Sequence, residues 1–307
     1  MSEEFWDTIE ADIHQTHVIV NAEAGHGKTQ FVKSIIQKLK ERDPRLIIKV
    51  FDVSFAWFDS APLKYHQRVT ADNWANVLNQ GDCVYEMGDL TEETRRLFVS
   101  IIVKQDYAIR RKIRELYGEE GLKKMPFILL VFEESDTYFD SASLNKKDDA
   151  SATLRDFIKV GRNFGLRAFC IVTANTGELG TKLRRRSKHL IGRIISDEDL
   201  RGYNRKRKGL GDAALALKRF QWLYYNGEKL LGPITLPLTT FGSPKEKEKV
   251  ETKNTVDLKI SLQEDKSTPH ITPHKAGGKW NYVIMSILGA IFIGCVGYLI
   301  LEYILGL

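Results

Sequence analysis

Residues 17–29 read HVIVNAEAGHGKT, and no other stretch constrains the fold so tightly. Val18, Ile19 and Val20 are β-branched, which suits a buried strand. A turn of small residues follows, Ala22-Glu23-Ala24-Gly25-His26-Gly27. Lys28-Thr29 then opens QFVKSIIQKLK, whose apolar residues recur at helical spacing. Strand, glycine-rich turn and helix N-terminus in that order form an anion cradle. Successive backbone N–H groups point inward and the helix dipole faces the anion. Ala22 to Thr29 is therefore the candidate phosphate-binding loop. In it Lys28 reaches the β- and γ-phosphates and the Thr29 hydroxyl ligates Mg²⁺. The usual pattern GxxxxGK[ST] opens on glycine; here Ala22 stands first, and Gly25 and Gly27 are the permissive positions. The expected ligands are ATP and Mg²⁺.

The far end of the chain has a different character. Residues 282–301, YVIMSILGAIFIGCVGYLIL, form an uninterrupted apolar run, and about 20 such residues span a hydrocarbon core. Trp280 and Tyr282 mark one interface, with Lys275 and Lys279 just before it. The expectation is a single-pass membrane anchor over 280–307, contacting lipid through residues 282–304. Ser286, Ala290 and Gly294 recur every fourth residue and make a small-residue face within it. Residues 243–279 are rich in Lys, Glu, Thr and Pro and read as a flexible linker. Within that stretch VDLKISL alternates like a transient strand, and Pro273 separates His270 from His274, which argues against a metal pair. The first ten residues are acidic and mixed rather than a signal peptide, so residues 1–242 are expected as a cytoplasmic domain. Cys83, Cys170 and Cys295 lack metal-like spacing and fit a reducing compartment. The net charge of +6 leans only weakly toward polyanionic partners.

Between the loop and the linker, strand and helix patterns alternate, which predicts an α/β domain with a mostly parallel sheet. Strands are expected at 45–53, within 82–90, at 124–136, 166–175 and 189–196, with a long helix from Thr91 to Leu116 and a closing hairpin around Asn226-Gly227. Ligands of such sheets bind at the carboxyl ends of the strands, where each candidate below is expected. LLVFEES ends its apolar strand in Glu133 and Glu134. A phosphoryl-transfer site needs one carboxylate near Mg²⁺ and one to activate water. Glu133 takes the metal role, although aspartate is usual there, and Glu134 the base. Asn175 ends FCIVTAN; it either senses the γ-phosphate or caps the turn before Gly177. The runs KLRRRSK (182–188) and YNRKRKG (203–209) are either solvated faces or sites for phosphate. Arg193, read as lying inside the strand 189–196, needs either a buried carboxylate or a neighbouring subunit's nucleotide as partner.

The order of these motifs resembles the FtsK/HerA class of P-loop ATPases over roughly residues 15–240. That class includes DNA-pumping motors, conjugation coupling ATPases and viral packaging ATPases. The resemblance rests on AEAGHGKT, CVYEMGDLTEETRRLFVSIIV, LLVFEES, GRNFGLRAFCIVTANTGEL and FQWLYYNGEKLLGPITLPL. Ala22, Glu133 and Asn175 depart from the class pattern. The resemblance implies a RecA-like (ASCE) α/β domain with a C-terminal antiparallel hairpin, preceding the transmembrane helix. It further implies a hexameric homo-oligomer, an arginine donated between subunits, double-stranded DNA as cargo, and capsid or transfer-apparatus proteins as partners. Two other readings share the loop: a filamentous-phage-type (zonula-occludens-toxin-like) virion-assembly ATPase, and a nucleotide-dependent membrane scaffold without motor activity.

Overall fold

Nine strands hydrogen-bond into one sheet in the computed structural model, which describes residues 3–57, 63, 65–77, 79, 81–173, 176–177 and 179–235. The chain divides into two units, Met1–Glu248 and Lys249–Leu307. The expected linker and apolar run lie outside the described residues. Among the described residues no helix is long and apolar enough to cross a membrane.

In chain order the strands are β1 (Val18–Ala22), β2 (Ile47–Asp52), β3 (Tyr65–Arg68), β4 (Cys83–Glu86), β5 (Ile128–Phe132), β6 (Leu166–Thr173), β7 (Lys188–Ile191), β8 (Gln221–Tyr225) and β9 (Leu230–Thr235). Their spatial order is β3-β4-β2-β5-β6-β1-β7-β8-β9. The first seven positions are parallel, and β8 and β9 close the sheet antiparallel. Register brings Ala22 opposite Thr173 and Phe132 opposite Cys170 and Phe51. The loops after β1, β2, β5 and β6 therefore leave from one edge.

The inner strands β1, β2, β4, β5 and β6 are buried on both faces, as a parallel sheet requires, whereas the edge strand β3 is largely exposed. Val18, Val20, Leu129, Val131, Phe169 and Ile171 point to one side. There they meet α1 (Glu3–Gln15) and α2 (Lys28–Arg42) through Phe5, Ile9, Ile13, Phe31, Val32 and Ile35. Ile19, Leu130, Phe132, Ala168 and Cys170 point to the other. That face is covered by α3 (Glu92–Lys124), the short α4 (Asp136–Phe139) and α5 (Ser141–Asn145), and α6 (Asp149–Val160). Beyond them α7 (Thr181–Arg186) leads into β7, while α8 (Asp197–Lys206) and α9 (Leu210–Leu215) pack Tyr203 and Leu210 against Ile191, Leu223 and Tyr225.

The structure refines the sequence reading at three places. The long helix breaks at Gly118 (φ 68°, ψ −169°), close to the expected end at Leu116, and a further helical stretch then runs to Lys124. The strand expected at 189–196 ends at Ile191, because Gly192 and Arg193 turn to bond the backbone around the phosphate loop. Finally, α1 emerges from the acidic N-terminus. Its buried face needs only Phe5, Ile9 and Ile13 at four-residue spacing, which the intervening acids concealed.

His17, at the start of β1, is buried and accepts the Ala168 N–H at Nδ1 over 3.1 Å. Burial, reinforced by the Arg167 charge, pushes its imidazole down to about 3. Because the folded value lies below the free value of 6.5, the unfolded chain binds the extra proton first. The resulting stability is complete above that value and drains away as pH falls toward 3. Thermal unfolding followed by circular dichroism should therefore show a falling midpoint on acidification. His17→Asn, which keeps an acceptor, should flatten the slope by up to about one proton.

Candidate functional site

The residues after β1 form the loop expected from the sequence. Gly25 (φ +71°) and Gly27 (φ +83°) occupy the left-handed region, which favours glycine. Gly27 is the N-cap of α2, with no side-chain cap and no acid in the first turn, so the helix N–H groups there remain available to an anion. Lys28 Nζ folds back to donate to the carbonyls of Ala22 (3.0 Å) and Glu23 (3.1 Å). Burial lowers the Lys28 ammonium, opposed by the carboxylates of Glu133 and Glu23.

The departure at Ala22 has a structural counterpart. A Cβ built on Gly192 would lie 2.6 Å from Ala22 Cβ and 2.5 Å from His26 Cδ2. The methyl that Ala22 adds is thus accommodated by a glycine on the neighbouring strand end. Gly192 N–H donates to Asn21 O (2.8 Å) and Glu23 N–H to Arg193 O (3.0 Å), so this strand end and the loop are zipped together.

Glu133 follows β5 and is 5% exposed. Its Oε1 accepts from the Thr29 hydroxyl at 2.9 Å and from Trp57 Nε1 at 2.8 Å. Burial raises its carboxyl above the ordinary range, partly offset by these two donors. Because Thr29 spends its proton on Glu133, the hydroxyl lone pairs stay available to a cation. A hydroxyl beside a carboxylate suits Mg²⁺ shared with substrate phosphates. Among the described residues no group of three or more His, Cys, Asp or Glu side chains could hold a metal ion. Glu134, next in sequence, is exposed and holds φ +49°, an uncommon conformation for a residue with a side chain. Its neighbour Ser135 is anchored instead, with Oγ donating to Phe132 O and Ile171 O. The backbone turn thus buries Glu133 and presents Glu134.

Asn175 lies outside the described residues. Next to it, Thr176 is held by Asp199 of α8, whose Oδ1 accepts from the Thr176 N–H (2.9 Å) and hydroxyl (2.6 Å). Arg193 is not in a strand interior: it sits beyond β7, its side chain 46% exposed, with Nε 3.8 Å from Glu23 Oε1. A pair so open to water stabilises little, so the buried salt bridge is ruled out.

Neither basic run joins this edge. KLRRRSK spans α7 and the start of β7, and Lys206 Nζ meets His189 Nε2, near the start of β7, at 2.5 Å and Arg184 O at 3.3 Å. The runs gather toward the amino end of β7, because α8 folds back along the strand it follows.

Two site residues escaped sequence reasoning. Asp52 ends β2 fully buried, taking Ser54 N–H at Oδ1 (3.0 Å) and Trp57 N–H at Oδ2 (3.0 Å). This holds the turn that carries Trp57 to Glu133. The rule that found Glu133, an acid ending an apolar strand, also applies to RLIIKVFDV. Trp57 had no local signal.

A Cβ at Gly192 forces the loop to shift, and overpacking of this kind costs about 1–3 kcal/mol. Gly192→Ala should lower the unfolding temperature by calorimetry, and a second change, Ala22→Gly, should recover part of the loss. Glu133→Gln has the opposite expectation. Its folded value lies above the free value of 4.5, so ionisation of the buried acid reduces stability as pH rises through that interval. The nucleotide-free variant should unfold at higher temperature than wild type, by a margin that widens as pH rises above 4.5.

No protein-family model matches the sequence, and no curated protein matches it. Solved structures do. VirB4 of Thermoanaerobacter pseudethanolicus aligns with a TM-score of 0.51 at 11% identity, over 74% of this chain and 90% of that one. The genome packaging NTPase B204 from Sulfolobus turreted icosahedral virus 2, in complex with AMPPCP, aligns at 0.49 and 12% identity, over 72% and 99%. The cytoplasmic domain of the Thermomonospora curvata type VII secretion ATPase EccC aligns at 0.45 and 14% identity, over 70% and 24%. These structural neighbours are P-loop ATPases of the FtsK/HerA type, and what the chain shares with VirB4 is the fold.

Proposed function

We propose that the chain is an ATPase that uses hydrolysis to move double-stranded DNA at a membrane. The observation that carries the reading is the Thr29–Glu133 hydrogen bond. It joins the helix of the phosphate loop to the acid after β5, across the intervening β6. In this reading the loop N–H groups and Lys28 bind the β- and γ-phosphates of ATP and hold the terminal phosphorus in place. Thr29 and Glu133 are the residues that would hold Mg²⁺, which when bound neutralises phosphate charge. Glu134 takes the proton of a water whose oxygen attacks the γ-phosphorus as the bond to the β-phosphate oxygen breaks, releasing ADP and phosphate.

The DNA assignment draws on the two basic runs. Among the described residues, Lys182, Arg184, Arg185 and Arg186 of α7 and Arg205, Lys206, Arg207 and Lys208 after Tyr203 make no ion pair. The hydrogen bonds they donate go to neutral acceptors, such as Lys159 O, Arg184 O and Glu228 O. An unneutralised face of this kind suits a phosphate backbone. The anchor at 282–304, the cytoplasmic placement of residues 1–242, the hexameric ring with Arg193 acting in trans, and a capsid or transfer apparatus as partner complete the proposal. The apolar run supports the anchor and its placement; the ring, the trans arginine and the partner rest on the resemblance to the FtsK/HerA class.

ATP hydrolysis by the purified protein, measured with and without duplex DNA, tests it. DNA should stimulate turnover. Lys28→Ala and Glu134→Gln should each lower kcat by about 10²-fold or more. Arg185→Glu with Arg207→Glu should weaken stimulation and leave basal hydrolysis unchanged. Turnover indifferent to DNA, without DNA retention at low salt, would sink the motor reading. Co-purification with a coat protein would favour virion assembly, and intact cellular function of Glu134→Gln would favour the scaffold.

A further inference from the structure

The segment that enters β8 lies directly against the phosphate loop. Phe220 holds φ +65°, in the left-handed region that an aromatic residue rarely adopts. Its ring comes to 3.1 Å from where a Cβ on Gly27 would stand. The adjoining Gln221 carbonyl is 2.9 Å from His26 Nε2, and Trp222 stacks on Phe31 of α2 with centroids 4.3 Å apart and planes 2° from parallel. Contacts on both sides thus hold a strained turn in place, and strain held this way gathers at functional sites.

This turn delivers Arg219 to the rim of the loop. The guanidinium carbon lies 4.8 Å from the Phe220 ring centroid, and Nε donates to Gly25 O over a long 3.4 Å. Arg219 is exposed, and among the described residues no carboxylate pairs with it. The other two cations at the loop are engaged differently: Lys28 by the carbonyls of Ala22 and Glu23, Arg193 by the Glu23 carboxylate. Arg219 has only an aromatic face and a stretched neutral acceptor. A phosphate oxygen offers it a shorter, charge-assisted bond in place of the carbonyl.

We propose that Arg219 is a ligand, acting in cis, of the polyphosphate chain of the bound nucleoside triphosphate. This rests on the nucleotide reading of the loop and adds a second cation to Lys28 from the same subunit. The Phe220 ring supports the guanidinium before binding, and the strained backbone fixes the point from which it swings. The planar fork engages two phosphate oxygens together, which a lysine ammonium cannot do in the same way.

Calorimetric titration of the full-length protein in detergent, with Mg²⁺ and separately AMP-PNP or AMP, tests the assignment. Arg219→Ala should weaken AMP-PNP binding by about 10-fold. Its AMP affinity and its nucleotide-free unfolding temperature should match wild type. Arg219→Lys should fall between the two. A purely structural role would move AMP and AMP-PNP together, and that result overturns the proposal, as does wild-type affinity of Arg219→Ala for AMP-PNP. Should Arg219→Ala fail to fold, Arg219→Gln removes the charge, keeps most of the stem and carries the same comparison. Wild-type protein that binds neither nucleotide defeats the underlying site reading as well, a result separable from selective failure at Arg219.

Discussion

Oε1 of Glu133 is the atom on which the candidate site turns. A carboxylate this deeply buried is costly unless donors compensate it, and here two do, from opposite sides. Thr29 reaches it from the first turn of α2 and Trp57 from the turn after β2. Trp57 is itself pinned by Asp52, so one oxygen ties together elements after β1, β2 and β5. The donors offset the burial only in part, which is why the Glu133 carboxyl stays raised. A divalent cation held by Thr29 and Glu133 would supply the missing positive charge.

The phosphate loop is seated from the other flank as well. Ala22 fills space that Gly192 vacates, and His26 sits between the strand end after β7 and the start of β8. Its Nε2 lies within bonding distance of both the Gln221 carbonyl (2.9 Å) and the Arg193 N–H (3.2 Å). One ring nitrogen cannot donate to the first and accept from the second at the same time. The loop therefore chooses between two neighbours by tautomer. Gln221 also pairs with Thr235 at the end of β9, so the antiparallel hairpin is a wall of the site as much as an edge of the sheet.

The two basic runs lie apart from the phosphate loop along the strand direction. Glu133, Glu134 and the loop, with its own cations Lys28, Arg193 and Arg219, occupy the carboxyl edge. The basic runs gather at the other end of β7, where Lys206 meets the neutral acceptors His189 Nε2 and Arg184 O. Burial together with the Arg184 charge pushes Lys206 down to about 8. A polyanion on that face and a nucleotide on this one would load opposite ends of the same short strand.

Much of this was legible in the chain. The run HVIVNAEAGHGKT encodes its own strand, turn and helix, because each is a local pattern of branching, glycine freedom and apolar spacing. LLVFEES likewise places two acids at the end of a buried strand. Local pattern does not say which of two adjacent acids is buried; the turn at Glu134 decides that through φ. Nor could it report that Gly192, some 170 residues downstream of Ala22, makes room for its methyl. Arg193 was misplaced for the same reason: the apolar residues of HLIGRIIS suggested a longer strand, but the strand ends at Ile191, where Gly192 and Arg193 bond the backbone around the phosphate loop. Trp57, Phe220 and Arg219 acquire their meaning only where strands distant in sequence end side by side. The sequence by itself determined the phosphate loop and the parallel α/β sheet, whose signals lie within a few residues. The tertiary structure alone decided what surrounds that loop, because sheet order is set by packing across the whole core.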